Sequence, residues 1–321
     1  MESPFRDYTT YLRNLFGERV QKISVNPGYS CPNRDGSKAR HGCTYCNLKT
    51  LEPAYLADCA GISDQIEKGI AFNKSRGDTQ KFLVYFQSYT NTYGSTVRLK
   101  KDYEEALQFP GVAGLVIGTR PDCISAEVLA VLETLSKTHY ISVELGIEST
   151  NDATLKRVNR CHAYHDTVNA VTSLAHRGLP VGGHLILGFP WESREVMVRH
   201  ATNLSRLPLT FVKLHHLQIL KGTALAREHR ARPFDLLTFE AYTALVISFL
   251  EHSRPDLVFQ RLLAEAPLRW LIDPHWKGIR NNQFTEMIRT EMIQRRTAQG
   301  AHWRETDSAP EGRYSISCSV P

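Results

Sequence analysis

The chain has 321 residues, 42% of them hydrophobic and 22% charged, a balance that supplies a full core and excludes a disordered or fibrous chain. The net charge of +6, from 39 basic against 33 acidic residues, is too mild for a dedicated nucleic-acid module, and the densest basic spot, Gln294-Arg295-Arg296, reads as a solvated helix face. No secretory leader opens the sequence and no apolar run nears the ~18 residues of a membrane span, so a cytoplasmic protein without a membrane partner is expected.

The elements alternate. Val20–Val25 reads as a first strand, followed by a cysteine-containing loop and by a helix over Ser63–Arg76 with Ile66, Gly69, Ile70 and Asn73 at helical steps. Phe82–Tyr89 is the next strand, Tyr103–Leu107 part of a helix, and Val112–Gly118 a third strand. Ser125 caps a helix whose Val128, Leu129, Leu132 and Leu135 form one face. Ile141–Ile147 is a strand, His165–Arg177 a helix closed by Gly178, Val181–Phe189 a strand, Ser193–Leu207 a helix and Phe211–Leu220 a further strand. Leu236–His252 is helical, Leu257–Leu262 reads as a last strand, and Phe284–Arg296 suggests one amphipathic helix in a short cap.

This order argues for parallel βα units closed or partly closed into a barrel. The expected organisation is a core over residues 17–252, an extension over 253–303 packed on it, and a polar, disordered tail over 304–321. In Ser142–Glu148 the apolar residues fall on one parity, with Ser142, Glu144 and Glu148 on the other. An outer barrel face packed under helices does not hold charge, so the glutamates point inward. Lys213 and His215 share an inner face by the same rule, as does His184. The interior therefore reads as a polar ligand cavity, against the plainer alternative of satisfied internal salt bridges.

Seven cysteines, three of them in one polar loop, suit thiolate metal ligands better than a disulfide scaffold. The loop runs Cys31-Pro-Asn-Arg-Asp-Gly-Ser-Lys-Ala-Arg-His-Gly-Cys43-Thr-Tyr-Cys46, a C-x11-C-x2-C pattern directly after the first strand. Cys31, Cys43 and Cys46 can each take one iron of a four-iron cube and leave the fourth iron open, whereas electron-transfer clusters use four cysteines. Gly36 and Gly42 permit the tight turns around such a cube. Zinc is the competing reading, with His41 as fourth ligand. Cys59, Cys123 and Cys161 read first as small buried hydrophobes, and Cys318, in a C-a-a-X ending that lacks aliphatic central residues, as a free thiol in the tail.

The cysteine loop, together with Tyr85–Thr92, Gly118-Thr-Arg-Pro-Asp122, Glu144–Ser149, His184–Pro190, Val212–His215 and Lys221-Gly-Thr223, resembles the bacterial radical S-adenosylmethionine (radical SAM) family often called YhcC. The resemblance runs in order from about Gly17 to Trp276. It is similar in turn to the radical SAM cores of the elongator catalytic subunit and of coproporphyrinogen dehydrogenases. It implies an α/β fold, a partial (β/α)6 barrel of the TIM type with a small C-terminal extension. It also implies a [4Fe-4S] cluster and S-adenosyl-L-methionine, whose reductive cleavage yields a 5′-deoxyadenosyl radical. By analogy, the backbone over Ser88, Tyr89, Thr90 and Asn91 meets the cofactor's amino group. Glu148 and Arg160 are candidates for its ribose and carboxylate, and the strand from His184 to Gly188 lies against the adenine. A surface ion pair is the alternative for Arg160. Trp191 and Cys161 stand where glycines are expected. The resemblance implies an electron donor such as flavodoxin or ferredoxin, and a substrate left open between RNA and a metabolite. Two other readings stand beside the enzyme: a non-catalytic haem or iron–sulfur carrier using His184 and His215, and a zinc-stabilised interaction protein.

Overall fold

In the computed structural model of the chain, residues 3–304 are described apart from 51, 76, 78 and 277, so the expected tail beyond 304, with its Cys318 thiol, lies outside the described residues. The strands are β1 (Val20–Val25), β2 (Lys81–Phe86), β3 (Val112–Thr119), β4 (Tyr140–Glu148), β5 (Val181–Leu187), β6 (Phe211–His216), β7 (Ile219–Leu220), β8 (Val258–Arg261) and β9 (Leu271–Asp273). The helices are α1 (Tyr8–Phe16), α2 (Ile62–Lys74), α3 (Thr96–Leu107), α4 (Ala126–Ser136), α5 (Asp152–Arg157), α6 (Tyr164–Ala175), α7 (Arg194–Ser205), α8 (Ala224–Ala231), α9 (Phe239–Glu251) and α10 (Asn281–Gln294).

Strands β1 to β6 lie side by side in chain order, all parallel, and β8 adds a seventh parallel strand beyond β6. Each connection carries a helix, which a parallel neighbour requires, and the sheet curls into a half-barrel of the TIM type. The expectation of six βα units holds, with the seventh strand drawn from the segment assigned to the extension. Helix starts follow local chemistry: the side chains of Ser125, Ser193 and Thr238 accept the amides of Val128, Val196 and Ala241.

One expected element is corrected. Phe211–Leu220 is not a single strand, because the chain leaves the sheet after His216, and Ile219–Leu220 pairs antiparallel with β9 in a separate two-stranded sheet. Apolar residues recur on both sides of the break, at Leu214, Leu217, Ile219 and Leu220, and hid a change of partner. Helix α1, not foreseen, has a more consequential position. Its Tyr8, Leu12 and Phe16 pack against Leu83, Tyr85, Val116, Tyr140 and Phe211 on the inner face of the sheet. Tyr8 meets Phe211 edge-on at 5.2 Å and Phe16 meets Tyr140 at 5.4 Å. These contacts stop the N-terminal mouth of the half-barrel with an apolar plug, leaving the polar interior above it reachable from the other end.

Candidate active site at the C-terminal end of the sheet

A cavity of about 640 Å³ occupies the half-barrel, in the range of small-ligand sites. Cys31, Cys43 and Cys46 line it, and so do Tyr89, Thr90, Glu148, Arg160 and His184. Ser88, Asn91 and Gly188 do not. Ser88 is buried beside it. The Asn91 side chain donates to the carbonyls of Phe86 and Gly118 at 2.9 and 2.8 Å, which ties the ends of β2 and β3 together. Gly188, at φ +97°, donates its N–H to the Met197 sulfur at 3.1 Å and packs under Leu237.

The cysteine loop leaves β1 and is fastened from several sides. Arg34 and Asp35 donate their N–H groups to the Cys31 carbonyl, and Gly42 donates to that of Asn33 at 2.7 Å. The buried Asn33 amide donates to Asn159 O at 2.7 Å and to the Cys43 sulfur at 3.5 Å, while Asn159 returns a bond to Gly42 O at 2.8 Å. Thr44 donates to Val158 O at 3.0 Å and accepts from Leu225 N at 2.8 Å, so α8 backs the loop from outside. Gly42 lies at φ +72°, and a Cβ there would meet the Arg34 guanidinium at 3.0 Å. That guanidinium donates to Cys46 O at 3.2 Å. Burial, then the neighbouring Cys43, pushes the Cys46 thiol up to about 11 against the pull of Arg34. Thiols so crowded ionise only when a cation shares the site.

Arg160 is not a surface ion pair. Buried at 6% exposure, it donates from Nη2 to Gly146 O at 2.5 Å and from Nη1 to the Cys43 sulfur at 3.5 Å, with Glu148 3.6 Å away. Behind it, Arg120 donates to Arg160 O at 2.7 Å and grips Asp122 through two bonds of 2.9 Å. Asp122 also takes Lys38 of the cysteine loop at 2.5 Å. Tyr89, Glu148, Asn159 and Cys161 all have non-glycine backbone in the left-handed region, at φ +66°, +66°, +55° and +56°. Such strain collects where surrounding structure enforces a particular site geometry. Burial raises Glu148, with Arg160 opposing. The Thr90 hydroxyl and Arg160 Nε are shut from solvent without a partner among the described residues.

Cys161 therefore occupies the backbone conformation that a glycine would take, which accounts for its departure from the expected pattern. Trp191 does not narrow the cavity. It stacks on Phe189 at 5.3 Å, lies under Arg157 at 4.1 Å and donates to the Thr154 hydroxyl at 3.1 Å, outside the lining.

Deeper in, Glu144 gathers Lys22 and Lys213 at 2.6 Å each, His184 at 2.7 Å and the Gln260 amide at 2.9 Å. Burial alone would raise this carboxyl; Lys213, then Lys22 and His184, hold it well below the usual range. The inward parity of Glu144, Glu148, His184, Lys213 and His215 is thus the observed arrangement. Lys22, Asn33, Arg120, Gln260 and Arg261 were not anticipated. Lys22 carried a signal, since Lys22 and Ser24 alternate with Ile23 and Val25 as Glu144 does with its neighbours. Arg261 carried none, because a register shift between β6 and β8 sets its direction.

Residues 26–203, more than half the chain, match the family model for the radical SAM superfamily, and residues 209–294 match that for the radical SAM C-terminal domain. The chain is 30% identical to the Bacillus subtilis protein YtqA over 95% of both chains, and 32% identical to Escherichia coli YhcC over 86% of this chain and 88% of that one. Among solved structures, archaeal Elp3 of Methanocaldococcus infernus superposes with a TM-score of 0.64 at 19% identity, over 87% of this chain. This chain spans 64% of that protein, and the likeness is one of fold.

Proposed function

This chain belongs to the radical SAM superfamily, and we propose that Cys31, Cys43 and Cys46 hold a [4Fe-4S] cluster, with S-adenosyl-L-methionine beside it and a further substrate in the rest of the cavity. The observation that carries this reading is that three otherwise unpaired thiols line one cavity, with Asn33 and Arg160 already donating to the Cys43 sulfur. Donors of this kind tune and orient a thiolate ligand.

The residues fit that group better than the alternatives. A zinc ion needs donors at about 2.0–2.3 Å from one point, and among the described residues no three His, Cys, Asp or Glu side chains are so arranged. Thiolates that each bind a different iron need not converge on one point. His41, the expected fourth zinc ligand, is exposed and off the cavity lining. His184 gives its Nε2 to Glu144 at 2.7 Å and its ring stacks on His215 at 5.7 Å, so both rings are built into the deep charge cluster.

When bound, the cluster supplies an electron, drawn from a donor such as flavodoxin or ferredoxin, that cleaves S-adenosyl-L-methionine to methionine and a 5′-deoxyadenosyl radical. The chain's own residues hold and orient. Arg160 positions the Cys43 sulfur, and Tyr89 and Thr90, which line the cavity between the buried Ser88 and Asn91, would face the cofactor's polar end. Glu148 would take its ribose, and β5 from His184 towards Gly188, which sits behind the lining, would flank the adenine. Helix α1 keeps bulk water from the opposite mouth.

Anaerobic reconstitution with iron and sulfide tests this. About four irons per chain are expected, with 5′-deoxyadenosine formed on reduction with S-adenosyl-L-methionine. Iron is lost in Cys31→Ala, Cys43→Ala and Cys46→Ala and kept in Cys59→Ser and Cys123→Ser. Stoichiometric zinc with no iron uptake overturns the proposal.

A further inference from the structure

The deep end of the cavity holds more positive charge than its own residues neutralise. Lys22 and Lys213 both bond Glu144. Arg261 lines the same cavity and acts electrostatically on Lys22, Lys213 and His215, yet among the described residues nothing pairs with its guanidinium. His184 and His215 add no charge of their own, because burial keeps both neutral, His184 at about 4 and His215 well below its ordinary value. Lys22, Lys213 and Arg261 therefore share with Glu144 and Glu265 a site closed below by Tyr8 and Leu12 of α1, and Glu265 is engaged by the Asn281 amide at 2.8 Å. Burial also draws Lys213 down to about 7, with Lys22 and Arg261 adding to the effect and Glu144 resisting it. Two further groups lack partners: His215 Nε2 and Gln260 Oε1 are shut from solvent with no hydrogen bond among the described residues. Unmatched buried cations and polar atoms are costly, and an anion with its own donors and acceptors removes that cost.

We infer that this end of the cavity binds an oxyanion of the substrate, a carboxylate or phosphate of a small molecule, with Arg261 as its principal partner and Lys22, Lys213 and His215 beside it. The inference rests on the enzyme reading above and adds the substrate class to it: an acid whose charged group is anchored deep in the half-barrel and whose body extends towards the cysteine loop. Arg261 suits this role because its planar donors engage two oxygens at once. Glu144 keeps the two lysines apart and fixed without neutralising the third cation.

Calorimetric titration of the reconstituted protein tests it, with succinate, inorganic phosphate and, as a neutral control, succinamide. Succinate or phosphate is expected to bind and succinamide not to; the tighter of the two acids identifies which oxyanion the site takes. Arg261→Gln weakens binding by about tenfold or more, and Arg261→Lys, which keeps the charge without the fork, loses several-fold. Both variants are melted without ligand first. If Arg261→Gln fails to fold, the Arg261→Lys loss carries the test. Equal binding of acids and amide, no binding of either acid, or unaltered affinity in both variants overturns the inference. Iron content and cofactor cleavage are read on the same wild-type sample. A sample that takes up iron and cleaves the cofactor but binds neither acid overturns this inference alone. One that binds an acid but takes up no iron overturns the reading beneath it.

Discussion

The guanidinium of Arg160 joins the Cys43 sulfur, 3.5 Å from Nη1, to the Gly146 carbonyl, 2.5 Å from Nη2. A cysteine on a loop is thereby held against a strand of the sheet, by a residue that is itself held from behind through Arg120 and Asp122. Sites placed on rigid elements keep their geometry better than sites placed on loops alone. Here the rigidity is borrowed: the loop supplies the sulfur and β4 supplies its position.

Gly146→Ala isolates this relationship without touching a ligand. A Cβ at 146 would lie 2.5 Å from Arg160 Nη2 and 2.8 Å from Glu148 Oε1. Both side chains must move, while the backbone of the strand has no reason to. We expect the variant to fold, to take up less iron on reconstitution, and to bind S-adenosyl-L-methionine more weakly. Iron and sulfide assays with a cofactor titration check this; wild-type values in both would remove Arg160 from the positioning role.

Much of this arrangement was legible in the sequence for a simple reason. Parallel strands buried on both faces tolerate charge only towards a cavity, so Glu144, Glu148 and Lys213 announced the interior through parity alone. The three cysteines announced themselves by crowding. What stayed hidden depends on contacts between distant segments. Nothing near Asn33 in the chain tells that it will meet Asn159, and nothing near Tyr8 tells that α1 will plug the barrel. The contact of Arg160 with Cys43 was equally hidden, since a sequence does not show that an arginine is buried beside a sulfur.

Asn33→Ala tests the clamp between the cysteine loop and the segment before Arg160. Its amide is wholly buried and bonds Asn159 O at 2.7 Å, so truncation leaves that carbonyl unsatisfied and a small void. A loss of about 1–3 kcal/mol is expected, seen as a lower thermal midpoint, together with faster loss of iron to a chelator. Unchanged chelator kinetics would confine Asn33 to a stabilising part.

Glu144 is the centre of the deep charge cluster, and removing its charge leaves two lysines facing each other. Glu144→Gln is expected to cost about 3–5 kcal/mol, the usual penalty for breaking a buried pair from one side. At this chain length that is a fall of roughly five degrees in melting temperature. Adding Lys213→Met should restore part of the loss, because the two positions share one interaction. Additive losses in the double variant would mean that the 2.6 Å contact carries no coupling.

The histidines set the response to acid. Burial, then Lys213, holds His184 at about 4; burial, then Arg160, holds His162 at about 4; and burial holds His216 at about 3, stacked on Trp276 at 4.2 Å. Each folded value lies below the ordinary 6.5 of the unfolded chain, so between these limits the unfolded state binds more protons. Stability is therefore full above about pH 6.5 and falls as the pH drops towards 4, by on the order of 1 kcal/mol per pH unit for each group. The loss begins before the carboxylates titrate. Denaturant midpoints measured between pH 7 and 4.5 should show this decline, and His216→Phe, which keeps the stacked ring and removes the titrating nitrogen, should make it shallower. A variant whose slope matches the wild type would show that His216 takes up its proton at the same pH folded and unfolded, contrary to its burial.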